Sequence, residues 1–291
     1  MLRTLRLRQR DKTKDFGEAT PSAKTEPGPR LKVAKIGIVS RDYRHEYENG
    51  FRDFSEAFPD ILKRLDEEGC DTVLFSLYSI VPRKEFDPFR SMRLLRNIKA
   101  VLYEEFKDGK KRKIKGSVVL YRGGHNKWHQ YRLPGGGFAS LKGPPKGRVE
   151  WFVQHVIPRR ILGNCCAILC GESNGVRWSQ ERRRVEDVFG LRRSLPKEVT
   201  VVLNPGHDRM IPYQMKCKRR FLSQNDRWVI SVWNRGKRDS SHRRRDGTKP
   251  PWTVFHNGKK REIVVEPMPN QMGVEIGILK IGGAQRSDPT T

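Results

Sequence analysis

No apolar run in this sequence approaches the roughly 20 residues that a membrane-spanning helix needs, so no helical span is expected. The opening MLRTLRLRQR has no secretory apolar region and lacks the serine richness of a transit peptide; its basic, acid-poor character reads as a tail. The five cysteines are an odd number and show no even spacing, which argues against a disulfide framework and for a reducing, cytoplasmic setting. The glycine-rich Pro134-Gly135-Gly136-Gly137 has no following Gly-Lys-Ser/Thr and no clean helix, so it is not a phosphate-binding loop. Acidic residues are scarce, at 33 Asp and Glu against 60 Lys and Arg, and the formal net charge is +27.

That excess favours a polyanion, such as nucleic acid, an acidic protein partner or an anionic surface. The other reading is a solubilising basic surface. The basic runs include Lys110-Lys111-Arg112-Lys113, Arg182-Arg183-Arg184, Lys216 to Arg220 and Arg243-Arg244-Arg245, so they are scattered through the chain rather than confined to its end. Trp128, Trp233 and Trp252 are either stacking platforms or core.

What is present suffices for a core: 35% of the 291 residues are hydrophobic. Residues 1–30, with PSAKTEPGPR, read as a disordered basic lead-in, 31–281 as one domain and 282–291 as a C-terminal tail. Lys32 to Val39 predicts a strand. Phe51, Phe54, Ala57, Phe58, Ile61, Leu62 and Leu65 recur at helical spacing, Gly69 stops that helix, and Asp71 to Phe75 predicts a second strand. Strand, helix and strand form a crossover unit, which places the chain in the α/β class.

Further along, Asp87 to Glu105 looks helical. Ser117 to Tyr121 and Trp128 to Tyr131 read as a hairpin, and Ala167 to Cys170 as a buried strand. Ser179 to Phe189 reads as a charged helix, Val199 to Asn204 as a strand, Tyr213 to Leu222 as a helix and Arg227 to Asn234 as a strand. Trp252 to Phe255 with Glu262 to Val265 reads as a second hairpin, and Gly273 to Ile281 as a last strand.

The chemistry points to Ala167-Ile168-Leu169-Cys170-Gly171-Glu172-Ser173-Asn174. A buried strand that ends in cysteine and turns into a helix-like segment presents an accessible sulfur, as thiol nucleophiles require. The alternative is a buried cysteine of the core. Glu172 is an acid at a helix start, favoured there by the macrodipole. Asn204 and His207 sit at a strand's C-terminal exit, where α/β proteins form ligand crevices, so both are pocket candidates. His125, His129, Cys166 and Cys170 can be sketched as a zinc site, but the usual Cys and His contexts are absent; no metal and no other cofactor is expected.

The order of these pieces resembles the nitrilase, or carbon–nitrogen hydrolase, superfamily. KIGIV looks like its opening strand, ILCGE like its nucleophile turn and VVLNPGHDRM like the next strand and polar exit. KCKRRFLSQNDRWVISVWN resembles the helix and strand that follow, and WTVFHNGKKREI with GVEIGILKI the closing hairpin and strand. The resemblance covers about residues 32–281.

The resemblance implies a four-layer α-β-β-α sandwich, a homo-oligomer, and a Glu-Lys-Cys triad that attacks a small amide or nitrile substrate through a covalent intermediate. Cys170 matches the family cysteine. The family glutamate should follow the second strand, where this chain reads Leu74-Phe75-Ser76-Leu77-Tyr78, and Glu85 is the nearest acid downstream. Arg132 occupies the place of the lysine, with Lys127 and Lys142 as substitutes, and Glu150 corresponds to the auxiliary glutamate. Two functions stay open at this point. One is a divergent carbon–nitrogen hydrolase acting through Cys170. The other is a catalytically degenerate scaffold that serves as a basic interaction module for nucleic acid or an acidic protein.

Overall fold

In the computed structural model the described residues are 29–45, 53–83, 86–107, 113–136, 146–208, 212–236 and 249–282. Most of the expected tails at 1–30 and 282–291 lies outside them, as do Glu85 and Lys142.

Strand β1 (Lys35–Arg41) is buried from Ile36 onward, and its neighbours β2 (Thr72–Phe75) and β3 (Ala100–Lys107) run parallel to it. Near-continuous Val, Ile, Leu and Phe in these segments is what strands covered on both faces require. Strands β4 (Lys113–Arg122) and β5 (Trp128–Arg132) extend the sheet as antiparallel hairpin arms.

A second sheet begins with β6 (Ile161–Leu162) and β7 (Cys165–Ala167), leaves through a small hairpin of β8 (Arg177–Ser179) and β9 (Arg184–Glu186), and resumes at β10 (Val201–Asp208), β11 (Trp228–Asn234), β12 (Trp252–His256) and β13 (Lys259–Arg261). The chain then returns to the first sheet as β14 (Glu266–Pro267) and β15 (Val274–Lys280). The strand orders are β14-β15-β1-β2-β3-β4-β5 and β13-β12-β11-β10-β7-β6. The fold is therefore mixed α/β with two main sheets.

Three clusters of buried side chains tie these parts together. Ile36, Ile38, Leu74 and Leu102 from the first sheet share one cluster with Cys165, Ala167, Leu203 and Ile230 from the second, so the two sheets meet face to face. On the other face of the first sheet, Phe75, Val101, Tyr103 and Val118 pack with helix α1 (Phe58–Glu67) and with Met92 of α2 (Pro88–Met92). On the other face of the second sheet, Cys166, Ile168, Val202 and Val229 pack with Val149 of α3 (Lys146–Trp151), the π-helical turn Phe152–Val156 that continues it, and Leu222 of α4 (Pro212–Leu222).

Helix α1 illustrates how sequence sets this packing. Pro59 opens its first turn, Asp60 faces the positive end of its dipole, and Phe58, Ile61, Leu62 and Leu65 line one buried face. Gly69 at φ +72° ends it. Gly37 on β1 lets it come close, since a Cβ there would stand 2.6 Å from Leu65 Cδ1. The buried Asp66 carboxylate then accepts the backbone N–H groups of Arg96, Asn97 and Ile98, which pins the approach to β3 under the helix.

Three sequence expectations are corrected. Asp87 to Glu105 is not one helix: a five-residue α2 ends at Met92, and β3 starts at Ala100. Ser179 to Phe189 contains no helix but the β8–β9 hairpin, with Arg183 at φ +47° in the turn between its strands. The strand after β12 is Lys259–Arg261, reached through Asn257 and Gly258 at positive φ, so Glu262 to Val265 is not a strand. The other strands and the helix α4 lie where the hydrophobic pattern put them, within a few residues.

Candidate active site

The parallel strands β1, β2 and β3 of one sheet and β7, β10 and β11 of the other bring polar residues to the seam between the sheets at their C-terminal ends. Ser40 Oγ donates to the carbonyl of Trp233 at 2.7 Å, Ser76 Oγ to Asn234 Oδ1 at 2.6 Å, and Asn234 Nδ2 to the carbonyl of Leu77 at 2.7 Å. These bonds satisfy groups that would otherwise be costly to bury, and they fix one sheet against the other.

Cys170 stands where the buried run Cys165 to Ile168 gives way to the 3-10 turn Cys170–Gly175. Its φ of +34° is left-handed, a conformation that a non-glycine residue holds only under external constraint. The constraint comes from both sides. Asn204 Nδ2 donates to the carbonyl of Ile168 at 2.6 Å and to that of Cys170 at 3.5 Å, while Ser231 Oγ donates to Asn204 Oδ1 at 2.8 Å. From the turn itself, Glu172 accepts the backbone N–H of Leu169 at 2.7 Å.

Glu172 is locked in turn by the fully buried Arg160, whose Nη2 donates to Glu172 Oε1 at 2.9 Å and whose Nε donates to the carbonyl of Pro134 at 2.9 Å. Burial is the largest influence on this carboxyl and pushes its pKa up, against the opposing pull of Arg160. Gly136 closes over the pair, since a Cβ there would meet Glu172 Oε1 at 2.0 Å. Glu172 thus fastens the loop before α3 to the turn that carries the sulfur.

His207 lies at the irregular end of β10, where the pairing with β11 shifts register between Pro205 and Asp208. Its ring bonds the Glu104 carboxylate, and the Cys170 thiol is near enough to help raise its pKa. Nε2 meets Glu104 Oε2 at 2.9 Å. Glu104 comes from β3 of the other sheet, is 3% exposed, and also accepts the backbone N–H of Tyr78 at 2.9 Å. The Tyr78 ring covers the imidazole, with centroids 4.0 Å apart. Burial alone depresses the histidine, but hydrogen bonds and charge from Cys170 and Glu104 outweigh it and raise its pKa to about 9. A thiol, an imidazole and a carboxylate in line, with the imidazole favoured in its charged form, make up the parts of a nucleophile–base–orienter triad.

The structure gathers Cys170, His207 and Asn204 at one place and sets Glu172 one turn behind. Arg132 pairs with Glu105 at 2.7 Å; it sits opposite Val118 on β4, whose side chain packs with α1 and α2, so it lies on the face of the sheet turned away from Cys170. Glu150 is half-exposed on α3, 3.9 Å from Lys146. His125 is exposed at the β4–β5 connection and His129 is exposed on β5, and among the described residues no three His, Cys, Asp or Glu side chains converge as metal ligands. Burial pushes the thiols of Cys70 and Cys166 up to about 12 and that of Cys165 higher still, so these three are poor nucleophiles at neutral pH. Sequence reasoning missed Glu104 and Tyr78. The available signal was an acid at the inward position of the apolar stretch Ala100-Val101-Leu102-Tyr103-Glu104.

No family model and no curated protein matches the sequence. Solved structures of the nitrilase, or carbon–nitrogen hydrolase, superfamily are similar to this chain at low identity. A CN-hydrolase superfamily protein from Xanthomonas campestris, solved with an arsenic adduct in its active site, is 13% identical; the alignment covers 86% of this chain and 91% of that one, with a TM-score of 0.45. A carbon–nitrogen hydrolase from Helicobacter pylori is 10% identical over 85% and 89% of the two chains, TM-score 0.43. An amidase of the nitrilase superfamily from Nesterenkonia is 14% identical over 87% and 93%, TM-score 0.43.

Proposed function

We propose that this chain is a carbon–nitrogen hydrolase-like enzyme that cleaves or transfers an amide bond through Cys170, with His207 in the place of the general base and Glu104 as its orienter. One observation carries the reading: the imidazole that bonds a buried carboxylate also lies beside the partly exposed thiol of Cys170, which helps raise its pKa. The four-layer arrangement, a single domain over 31–281, a small amide or nitrile substrate and self-association belong to the same proposal.

The steps follow from the protonation states. Attack requires the sulfur as thiolate with the proton on His207, whose pKa is raised to about 9. Sulfur attacks the carbonyl carbon, a C–S bond forms, and the C=O electron pair moves to oxygen. As that pair returns, the C–N bond breaks and His207 delivers its proton to the departing amine, leaving a thioester. His207, now neutral, takes a proton from water as the water attacks the thioester carbon. The C–S bond breaks and the carboxylic acid leaves, its proton going to solvent, while His207 keeps the proton it took and the thiolate pair is restored. Glu104 holds Nε2 throughout and fixes which nitrogen faces the sulfur. This assignment differs from the Glu-Lys-Cys set that the sequence resemblance implies: Arg132 pairs with Glu105 and Glu150 with Lys146.

The test is release of ammonia from a panel of short carboxamides and of carboxylate from the matching nitriles. The account expects turnover of at least one carboxamide by the intact chain, none by Cys170→Ala, and a loss of about 10²-fold or more in kcat for His207→Ala. Equal turnover by Cys170→Ala would overturn it.

A further inference from the structure

The β8–β9 hairpin and α4 pack against each other and form a face that the amide chemistry does not use. On α4, Tyr213, Lys216 and Arg220 stand at i, i+3 and i+7 and are exposed along one stripe. The Tyr213 side is 64% exposed, and its ring meets that of Trp178 on β8 edge-on at 5.5 Å. The hairpin adds Arg182 and Arg184, whose side chains are 59% and 64% exposed. Acids do not cancel this charge. Helix α4 contains none, the exposed Glu181 of the hairpin turn is outnumbered by Arg182, Arg183 and Arg184, Glu186 serves both Arg182 and Arg184 at once, and Asp187 is engaged by the backbone N–H groups of Arg192 and Arg193.

We infer that this face binds single-stranded nucleic acid. An exposed tyrosine ring set edge-on against the partly exposed Trp178 and flanked by cations spaced along a helix matches what an unpaired strand offers, namely base faces to stack and phosphates at regular intervals. An acidic protein would use the cations and leave the rings idle. A duplex would hide its bases from Tyr213 and Trp178. The chain's +27 charge supplies attraction at a distance, and this face gives it a place to act. The inference is independent of the proposed hydrolysis, since none of Tyr213, Trp178, Arg182, Arg184, Lys216 or Arg220 belongs to the catalytic set.

The experiment is fluorescence anisotropy of a fluorescein-labelled oligothymidylate of about 20 nucleotides, titrated with the full chain over a range of salt concentrations. Binding should weaken linearly in log–log form with salt. Tyr213→Ala should weaken it by about fivefold or more with the slope unchanged, and Tyr213→Phe should keep the affinity. The pair Arg182→Ala with Arg184→Ala should lower the slope by about 1.4, two phosphate contacts' worth on a single strand. As a charge-matched control, Lys113→Ala with Lys115→Ala, exposed on β4 of the other sheet, should change little. Absence of binding at low salt, an unchanged affinity in Tyr213→Ala, an equal loss in the β4 control, or equal affinity for a duplex or a polyglutamate peptide would each overturn the assignment.

Discussion

His207 concentrates the chemistry of the site in one ring. Its pKa of about 9 means that the imidazolium persists through neutral pH. For a raised histidine the sign is set: the interaction stabilises the fold fully below its ordinary value and is lost as pH rises through the folded value. The same proton is the one the leaving amine needs, so acylation should slow as pH rises through about 9, and a kcat/KM profile on any accepted carboxamide would show that limb. Glu104→Gln should move the limb to lower pH and reduce kcat, because the ring loses its charged partner.

Glu275 offers a contrasting case. Burial raises its carboxyl to about 7 in spite of Arg235, and one of its oxygens has no hydrogen-bond partner. Here the folded state holds the proton more tightly than the unfolded state, so stability should fall as pH rises from the ordinary carboxyl value to about 7. Thermal melts of Glu275→Gln should be flatter across that window. Cys170, Asn204 and His207 were legible because each follows an apolar run and so marks a strand's polar exit. Glu104 was hidden because its segment was counted as helix, which assigns it no inward face.

At the scale of elements, patterns that repeat were readable and patterns set by tertiary contact were not. The spacing of Phe58, Ile61, Leu62 and Leu65 announces α1, and the continuous apolar runs announce β1, β2, β10 and β11. The charged stretch around Arg182 to Arg184 has helix-forming residues, yet Trp178 and Val185 pair across a hairpin because α4 lies beside it. Nothing local to 179–189 records that neighbour. The close approach of α1 to β1 gives a sharp test. Gly37→Ala places a methyl 2.6 Å from Leu65 Cδ1, and overpacking of that kind costs about 1–3 kcal/mol. Urea unfolding should show a lower midpoint with an unchanged slope. Gly37→Ala combined with Leu65→Ala should recover part of the clash but lose the buried leucine.

For the whole molecule, the candidate site exists only because two sheets meet. Glu104 belongs to the first sheet, Cys170 and His207 to the second, and the bonds from Ser40, Ser76 and Asn234 hold the seam that aligns them. The order of hydrophobic patterns marked the class and composition the excess of charge, but neither showed which strand of one sheet would face which exit of the other, since that depends on register at the seam. The account's central claim is that this seam builds a thiol nucleophile from Cys170, His207 and Glu104. Intact-mass measurement after a short exposure to p-nitrophenyl acetate tests it most directly. The account predicts one acetyl group on the chain, located at Cys170 by peptide mapping, absent from Cys170→Ala and accumulating about 10²-fold more slowly in His207→Ala. Acetylation at the other partly exposed thiol, Cys217, instead of Cys170, or a rate at Cys170 indifferent to His207, would contradict it.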